Sequence, residues 1–243
     1  MTKFTTTRWS LILDARTGQA SAREALEEIC RAYRSPVLAY VRRSGTPRLD
    51  AEDLTQEFFT RLLERRWDEH ADPARGRFRA FLLTALKRFL LDARDSASTQ
   101  KRGGGQLRVE WEDATAALPG ADASSPEHAF ERAWAATVIE RAYARLREEA
   151  MHAGKQALFE RLSPFLAEAP DAADYPRIAA ELGLRANTIA VSVHRLRLRL
   201  RELVRAEIAD QTDGPDAVEA ELKTLRNALR IDAPNHGGGD ASR

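Results

Sequence analysis

The sequence predicts an all-α protein of two small helical domains joined by a flexible linker, with a short C-terminal extension. Apolar residues recur at three- and four-residue steps in two long blocks, which is the period of helices with one buried face. Between the blocks, residues 95–125 are rich in Ser, Thr, Gly and Asp, a composition typical of a linker. We predict a first domain over 1–100, a linker over 101–125, a second domain over 126–210, and an extension over 211–243 with one helix and a disordered tail.

Each predicted helix has its own signals. In the first block we expect helices over 21–43, about 50–66 and 78 to about 94, with Asp50 as an N-cap and Pro36 as a point where the first helix can kink. The second block begins at Ser125-Pro126-Glu127, which combines a capping residue, a proline suited to the first helical position and an acid that favours the helix dipole. Its helices are expected near 126–149, 155–167, 174–182, 186–209 and 215–230. An alternating segment, Leu107 to Trp111, could form only a short isolated strand.

Composition excludes several kinds of protein. The net charge is only +1, so any contact with nucleic acid has to come from local basic faces. The single cysteine, Cys30, allows no intrachain disulfide, is expected to be a buried small hydrophobe, and joins no histidine with metal-ligand spacing. We expect no metal and no cofactor. No stretch approaches the ~20 apolar residues of a membrane span, and Met1-Thr2-Lys3-Phe4 lacks the apolar core of a signal peptide, so we expect a cytoplasmic protein.

The strongest motif lies between Tyr175 and Arg205. A short helix ends at Gly183, and a second helix places Ile189, Val193, Leu196 and Leu200 on one face, which is typical of a helix-turn-helix. Six arginines and one glutamate between Arg185 and Arg205 give a local charge of about +5. Asn187, Thr188 and Val191 lie near the helix start and are predicted to read base edges. The residues further along the helix, His194, Arg195, Arg197 and Arg199, are predicted to hold phosphates, and Arg185 completes the predicted DNA-binding set. The alternative is a solvated basic helix with no DNA role.

Acidic residues crowd the opening turns of the second predicted helix. Some of this charge only complements the helix dipole. An acidic surface beside an apolar edge also suits docking onto a basic protein partner, and the predicted docking residues are Asp50, Glu52, Asp53, Gln56, Glu57 and Thr60. A metal site would need oxygens converging from separate elements, which this cluster does not indicate.

The third predicted helix and the loop before it mix basic and aromatic side chains. Such a mixture is what single-stranded nucleic acid requires, because bases stack on rings and cations follow the backbone. The predicted DNA-binding residues here are Trp67, Arg77, Arg79, Lys87 and Arg88. Phe81 and Phe89 are expected to belong to the core instead.

The run from Asp50 to Phe59, the run from Phe78 to Asp92 and the later helix-turn-helix together resemble the extracytoplasmic-function group of sigma factors. The resemblance covers about residues 21–102 and 126–209. It implies a protein that is not an enzyme, that binds RNA polymerase core enzyme and promoter DNA, and that initiates transcription at specific promoters. By resemblance, the helix from Asp50 to Arg65 docks on the clamp helices of the largest polymerase subunit. Residues 67–94 would melt and read the upstream-ten element, 174–205 would read the upstream-thirty-five element, and the linker would thread toward the RNA exit path.

Three departures limit what the resemblance implies. Arg185 stands where a capping Ser or Thr is usual. Ala190-Val191-Ser192 stands where the family often has a polar triplet, so the promoter sequence does not follow from it. The helix near 215–230 lies outside the common two-domain core. The resemblance leaves open whether the protein is controlled by an anti-sigma factor, by a serine/threonine kinase acting at Thr55 or Thr60, or by the C-terminal extension itself.

Two other functions compete with this interpretation. An ordinary helix-turn-helix regulator that does not bind core polymerase would explain the basic C-terminal block, but not the acidic helix. An all-helical metalloenzyme built on Asp50, Glu52 and Asp53 would need a histidine or a nucleophile that the pattern does not supply.

Overall fold

The fold is all-helical, as the sequence predicts. The computed structural model describes residues 20–45, 50–64, 78–100, 125–168, 170–171, 173–212 and 214–230. Within these ranges there is no strand, and the elements are α1 Ala20–Arg43, α2 Ala51–Glu64, α3 Phe78–Gln100, α4 Pro126–His152, α5 Gln156–Leu162, a 3₁₀ helix Ser163–Leu166, α6 Asp174–Leu182, α7 Ala186–Ala209 and α8 Pro215–Arg230. The predicted strand near Leu107, most of the predicted linker and the predicted tail lie outside the described residues.

The helix bounds follow the predicted ones closely, with two differences. Helix α3 continues to Gln100 rather than ending near Arg94, because no glycine or proline occurs before Gly103. The predicted helix over 155–167 is divided into α5 and a 3₁₀ helix, since Pro164 has no N–H to continue α-helical hydrogen bonding. Pro36 lies inside α1, and the helix continues beyond it to Arg43.

The chain forms two compact units that do not coincide with the predicted domain boundaries. Unit 1 contains residues 1–137 and 209–243, and unit 2 contains residues 138–208. The C-terminal helix α8 therefore belongs to the same unit as α1, α2 and α3. The functional domains predicted at 1–100 and 126–210 stay a prediction.

Aromatic side chains build the core of unit 1. Tyr33 of α1 makes an edge contact with Phe78 of α3 at 5.2 Å between ring centroids, and its ring stacks at 6.3 Å on Phe130 of α4. Phe58 of α2 lies 5.6 Å from Phe89 of α3. These contacts fix α2 and α3 against each other and hold the first turns of α4 to the same core, so that the acidic and basic helices have defined exposed faces.

Unit 2 has two small clusters of buried residues. In the first, Leu162, Ile178 and Ala179 pack with Ile189 and Val193, as the helical periodicity predicts for α6 and α7. The second cluster consists of Ala142, Leu146, Phe159 and Leu203. Helix α7 contributes to both clusters, which leaves its opposite face at solvent.

Two further observations bear on the expectations from composition. Cys30 is half-buried on α1, and burial raises the pKa of its thiol to about 11. None of the helices in the described ranges combines the length and apolar character that spanning a membrane requires.

Candidate polymerase and nucleic-acid interfaces

Helix α2 separates a buried face from a polar one. The Asp50 carbonyl accepts the Leu54 N–H at 2.9 Å and so begins the helix. The buried residues are Thr55, Phe58, Phe59 and Leu62. The exposed residues include five of the six predicted docking residues, Asp50, Asp53, Gln56, Glu57 and Thr60. The predicted docking face is therefore continuous and open to solvent.

Glu52, the sixth predicted docking residue, has a different environment. Its carboxylate accepts hydrogen bonds from Arg34 at 2.7 Å and from Arg42 at 3.0 Å, both on α1. Glu57 also pairs with Arg61 on its own helix at 2.5 Å. Because Glu52 already holds two guanidinium groups, it connects α2 to α1, and the carboxylates of Asp50 and Asp53 are the more available ones for a partner.

The environments of Thr55 and Thr60 on α2 bear on their predicted role as kinase acceptors. The Thr55 side chain is 1% exposed and its hydroxyl donates to the Ala51 carbonyl at 2.7 Å, so the expectation that Thr55 is a phosphate acceptor is wrong for this conformation. The Thr60 hydroxyl is exposed and donates to the Gln56 carbonyl at 3.0 Å. No group of three or more His, Cys, Asp and Glu side chains in the described ranges could hold a metal ion.

Helix α3 carries three of the five residues predicted to bind single-stranded DNA, namely Arg79, Lys87 and Arg88, while Trp67 and Arg77 lie outside the described residues. Lys87 and Arg88 are half-buried. Phe89 is buried, as expected for a core residue, and Phe81 is half-buried.

Arg79 differs most from its predicted role. It is only 5% exposed. Its Nε donates to Glu221 of α8 at 2.9 Å, its Nη1 donates to Glu131 of α4 at 3.0 Å, and its guanidinium lies 5.0 Å from the centre of the Trp134 ring. Burial alone would lower the pKa of Arg79, but the attraction of Glu221 and Glu131 is stronger and raises it. The prediction of an exposed DNA contact at Arg79 is therefore corrected: in this conformation the residue is inside unit 1.

Lys87 is also paired with a carboxylate of α4. Its ammonium group lies 2.8 Å from Glu127, which accepts a second hydrogen bond from the Tyr40 hydroxyl at 3.3 Å. Burial raises the pKa of Glu127, but the hydrogen bonds from Lys87, the backbone and Tyr40, together with the charge of Lys87, outweigh it, so the pKa is lowered overall. The first turns of α4 thus bring carboxylates to two of the predicted DNA-binding cations of α3.

A tight turn joins α6 to α7. Gly183 has φ 65° and ψ 28°, the left-handed conformation that glycine adopts without strain. The Leu184 N–H donates to the Ala179 carbonyl at 2.9 Å, which closes the end of α6. Three residues, 183–185, therefore separate the two helices, and the sequence pattern around Gly183 predicted this geometry.

The outer face of α7 contains most of the residues predicted to contact DNA. Its exposed members are Arg185 in the turn and Asn187, Thr188, Val191, His194 and Arg195 along the helix. Val191 is 40% exposed. Two apolar residues that the sequence analysis did not select, Leu184 in the turn and Leu198 on α7, are exposed by 43% and 42%. Leu198 follows Arg195 by three residues on the helix, and this spacing was the signal that could have found it.

Two arginines on α7 make internal contacts instead. Arg197 donates to the carbonyl of Phe165 in the 3₁₀ helix at 2.9 Å and to that of Glu168, just after this helix, at 2.8 Å. Arg199 holds Glu149 of α4 through two hydrogen bonds of 2.9 and 2.7 Å, and this contact lowers the pKa of Glu149. The predicted phosphate role of Arg197 and Arg199 is corrected for this conformation, because their donors are already used within unit 2.

Comparison with known proteins gives a match, and it covers the part of the chain that contains α2 and nearly all of α3. Residues 29–99 match sigma-70 region 2. The match covers less than a third of the chain and supports a relation of this segment to the sigma-70 family. The matched sigma segment includes most of α1, all of α2 and nearly all of α3, and therefore both the acidic face and Arg79. No curated protein and no solved structure shows significant similarity to the chain.

Proposed function

We propose that the chain is a sigma factor of the extracytoplasmic-function type, which binds core RNA polymerase in the cytoplasm and directs it to specific promoters. The observation that carries the proposal is the match of residues 29–99 to sigma-70 region 2, since it contains the exposed acidic face of α2. A helix-turn-helix regulator that does not bind polymerase would leave this match unexplained. The regulatory partner, an anti-sigma factor or a kinase acting at the exposed Thr60, is part of the same proposal.

The acidic face of α2 is proposed to bind the polymerase. Asp50 and Asp53 are exposed, and neither forms an ion pair within the described part of the chain. Carboxylates that are not paired internally can meet a basic partner without first losing another contact. Glu52, by contrast, is proposed to orient α2 through Arg34 and Arg42.

Reversing charge at Asp50 and Asp53 together, as Asp50→Lys and Asp53→Lys, is expected to slow association with core polymerase about tenfold or more at low salt, because steering by complementary charge is lost. The measurement is a stopped-flow titration of fluorescent core enzyme at two salt concentrations. The matched control reverses two exposed acids of unit 2, Glu140→Lys and Glu148→Lys, which changes the net charge equally. Equal association rates for the two double variants would remove α2 from the docking surface.

The outer face of α7 is proposed to enter the major groove of promoter DNA as the second helix of a helix-turn-helix. Asn187, Thr188 and Val191 lie in its first two turns, where recognition helices meet base edges. Arg185, His194 and Arg195 are exposed beside them and are assigned to the phosphate backbone. This assignment supports reading of the upstream-thirty-five element by unit 2, while α3 of unit 1 would act at the upstream-ten element.

Substitutions on α7 separate base reading from phosphate binding. Asn187→Ala is expected to change the preference between bases at one promoter position by about 1–3 kcal/mol. Arg195→Ala should lower the affinity for all promoters alike, and it should reduce the slope of log affinity against log salt concentration by about the value of one phosphate contact. Arg199→Ala is the matched control, because Arg199 is held by Glu149 and should leave the salt slope unchanged. The measurement is reconstituted transcription from a promoter library, with salt titrations of DNA binding. If Arg195→Ala reorders the promoters and Asn187→Ala only scales them, the two roles are reversed.

A further inference from the structure

Three carboxylates of unit 1 lie against the cations of α3 that are assigned to DNA. Glu127 pairs with Lys87, and Glu131 and Glu221 both pair with Arg79. Two of these acids come from α4, and Glu221 comes from α8, the helix outside the common sigma core. A carboxylate and a phosphate make the same kind of charge-assisted hydrogen bond to a guanidinium group. The acids therefore occupy donors that a nucleic-acid backbone would use.

The position of Glu221 within α8 is unusual. Val218, Leu225 and Ala228 are 6%, 6% and 2% exposed and form one buried stripe at helical spacing. Glu221 lies in the middle of this stripe and is 1% exposed. An apolar residue there would stabilise a permanent contact at least as well, because desolvation cancels most of the attraction within a buried ion pair. A charge at this position favours a contact that can be made and broken.

We propose that α8 is an autoinhibitory helix, whose Glu221 acts with Glu131 to hold Arg79 in the place of a DNA phosphate. Helix α8 has to leave unit 1 before Arg79 can contact the promoter strand. The proposal rests on the proposed sigma function, and it adds a closed state in which the single-strand surface of α3 is covered.

The free-energy changes when α8 leaves Arg79 are consistent with a helix that can detach. When α8 leaves, Glu221 and Arg79 both regain water, and this hydration offsets the loss of their attraction. A DNA phosphate then replaces one carboxylate at Arg79, so the exchange leaves the cation paired. The net free-energy cost of opening is then the exposure of the apolar stripe of α8 to water. The free energy of binding to polymerase and promoter can offset this cost.

The test uses the full chain with Glu221→Gln, which keeps the size of the side chain and removes its charge. A fluorescent oligothymidylate of 20 nucleotides is the probe, and anisotropy gives its affinity across a salt series. We expect binding about five- to tenfold tighter at 50 mM salt, and a salt slope steeper by about 0.7, as for one added phosphate contact on a single strand. The matched control, Glu219→Gln, makes the same charge change on the exposed face of α8 and should leave the salt slope unaltered.

Two further measurements keep the result decisive. Adding Arg79→Ala to Glu221→Gln should return the affinity and slope to those of the unsubstituted chain. Amide hydrogen exchange over residues 215–230 should be faster in Glu221→Gln, and faster in the unsubstituted chain when the oligonucleotide is bound. Faster exchange without tighter oligonucleotide binding would overturn the proposal, as would equal affinities for Glu221→Gln and Glu219→Gln. Because this assay contains no polymerase, failure of the sigma function would appear separately, as absence of core binding by the unsubstituted chain.

Discussion

Replacing Arg79 by leucine is expected to lower the free energy of unfolding of unit 1 by about 3–5 kcal/mol. The substitution leaves the carboxylates of Glu221 and Glu131 facing an apolar side chain, and Glu221 is only 1% exposed. A buried carboxylate without its cation has to take up a proton or move to water, and both cost free energy. Urea unfolding followed by circular dichroism measures the loss.

Two controls identify the cause of that loss. The double variant Arg79→Leu with Glu221→Leu should recover most of it, since a well-packed apolar pair can equal or exceed a buried ion pair. Arg34→Leu removes an arginine of the same unit whose ion pair with Glu52 is exposed, and should cost only about 0.2–1 kcal/mol. Similar losses for Arg79→Leu and Arg34→Leu would show that the Arg79 pair is not buried as described.

Ile189→Ala is expected to destabilise unit 2 by about 2–5 kcal/mol and to abolish specific DNA binding. The side chain is fully buried and packs with Ile178 and Val193 between α6 and α7, so its removal leaves a cavity that the two helices cannot close. The control is Val191→Ala on the same helix, which is 40% exposed and should change stability by less than about 0.5 kcal/mol. Thermal unfolding of both variants provides the comparison, and comparable losses would contradict the assigned buried face.

The helices could be predicted because their signals are local. Ser125 caps α4 through its hydroxyl, which accepts the His128 N–H at 3.1 Å, and Gly183 ends α6 in the left-handed conformation. The buried face of α7 followed from the spacing of Ile189 and Val193 in the same way. Such features depend on residues within one or two helical turns, so the local sequence is enough to predict them.

The partners of the charged residues could not be predicted, because they come from distant parts of the chain. Arg79 and Glu221 are 142 residues apart, and Arg199 and Glu149 are 50 apart. Arg197 is bound by two backbone carbonyls, groups that every residue has and that no sequence pattern marks. Periodicity indicates that an arginine is off the apolar stripe, but it does not distinguish an arginine left for a ligand from one used internally.

The division of unit 1 into two chain segments has a consequence for biosynthesis. Residues 138–208 are translated between the two segments, and Glu221 follows Arg79 by 142 residues. At about 5–20 residues per second, roughly 7–28 s pass on the ribosome between the synthesis of Arg79 and that of its partner. During that interval the growing chain has Arg79 without Glu221. Under the proposed autoinhibition, each newly made molecule therefore passes through a stage in which α8 does not yet hold Arg79, and the synthesis of α8 ends that stage.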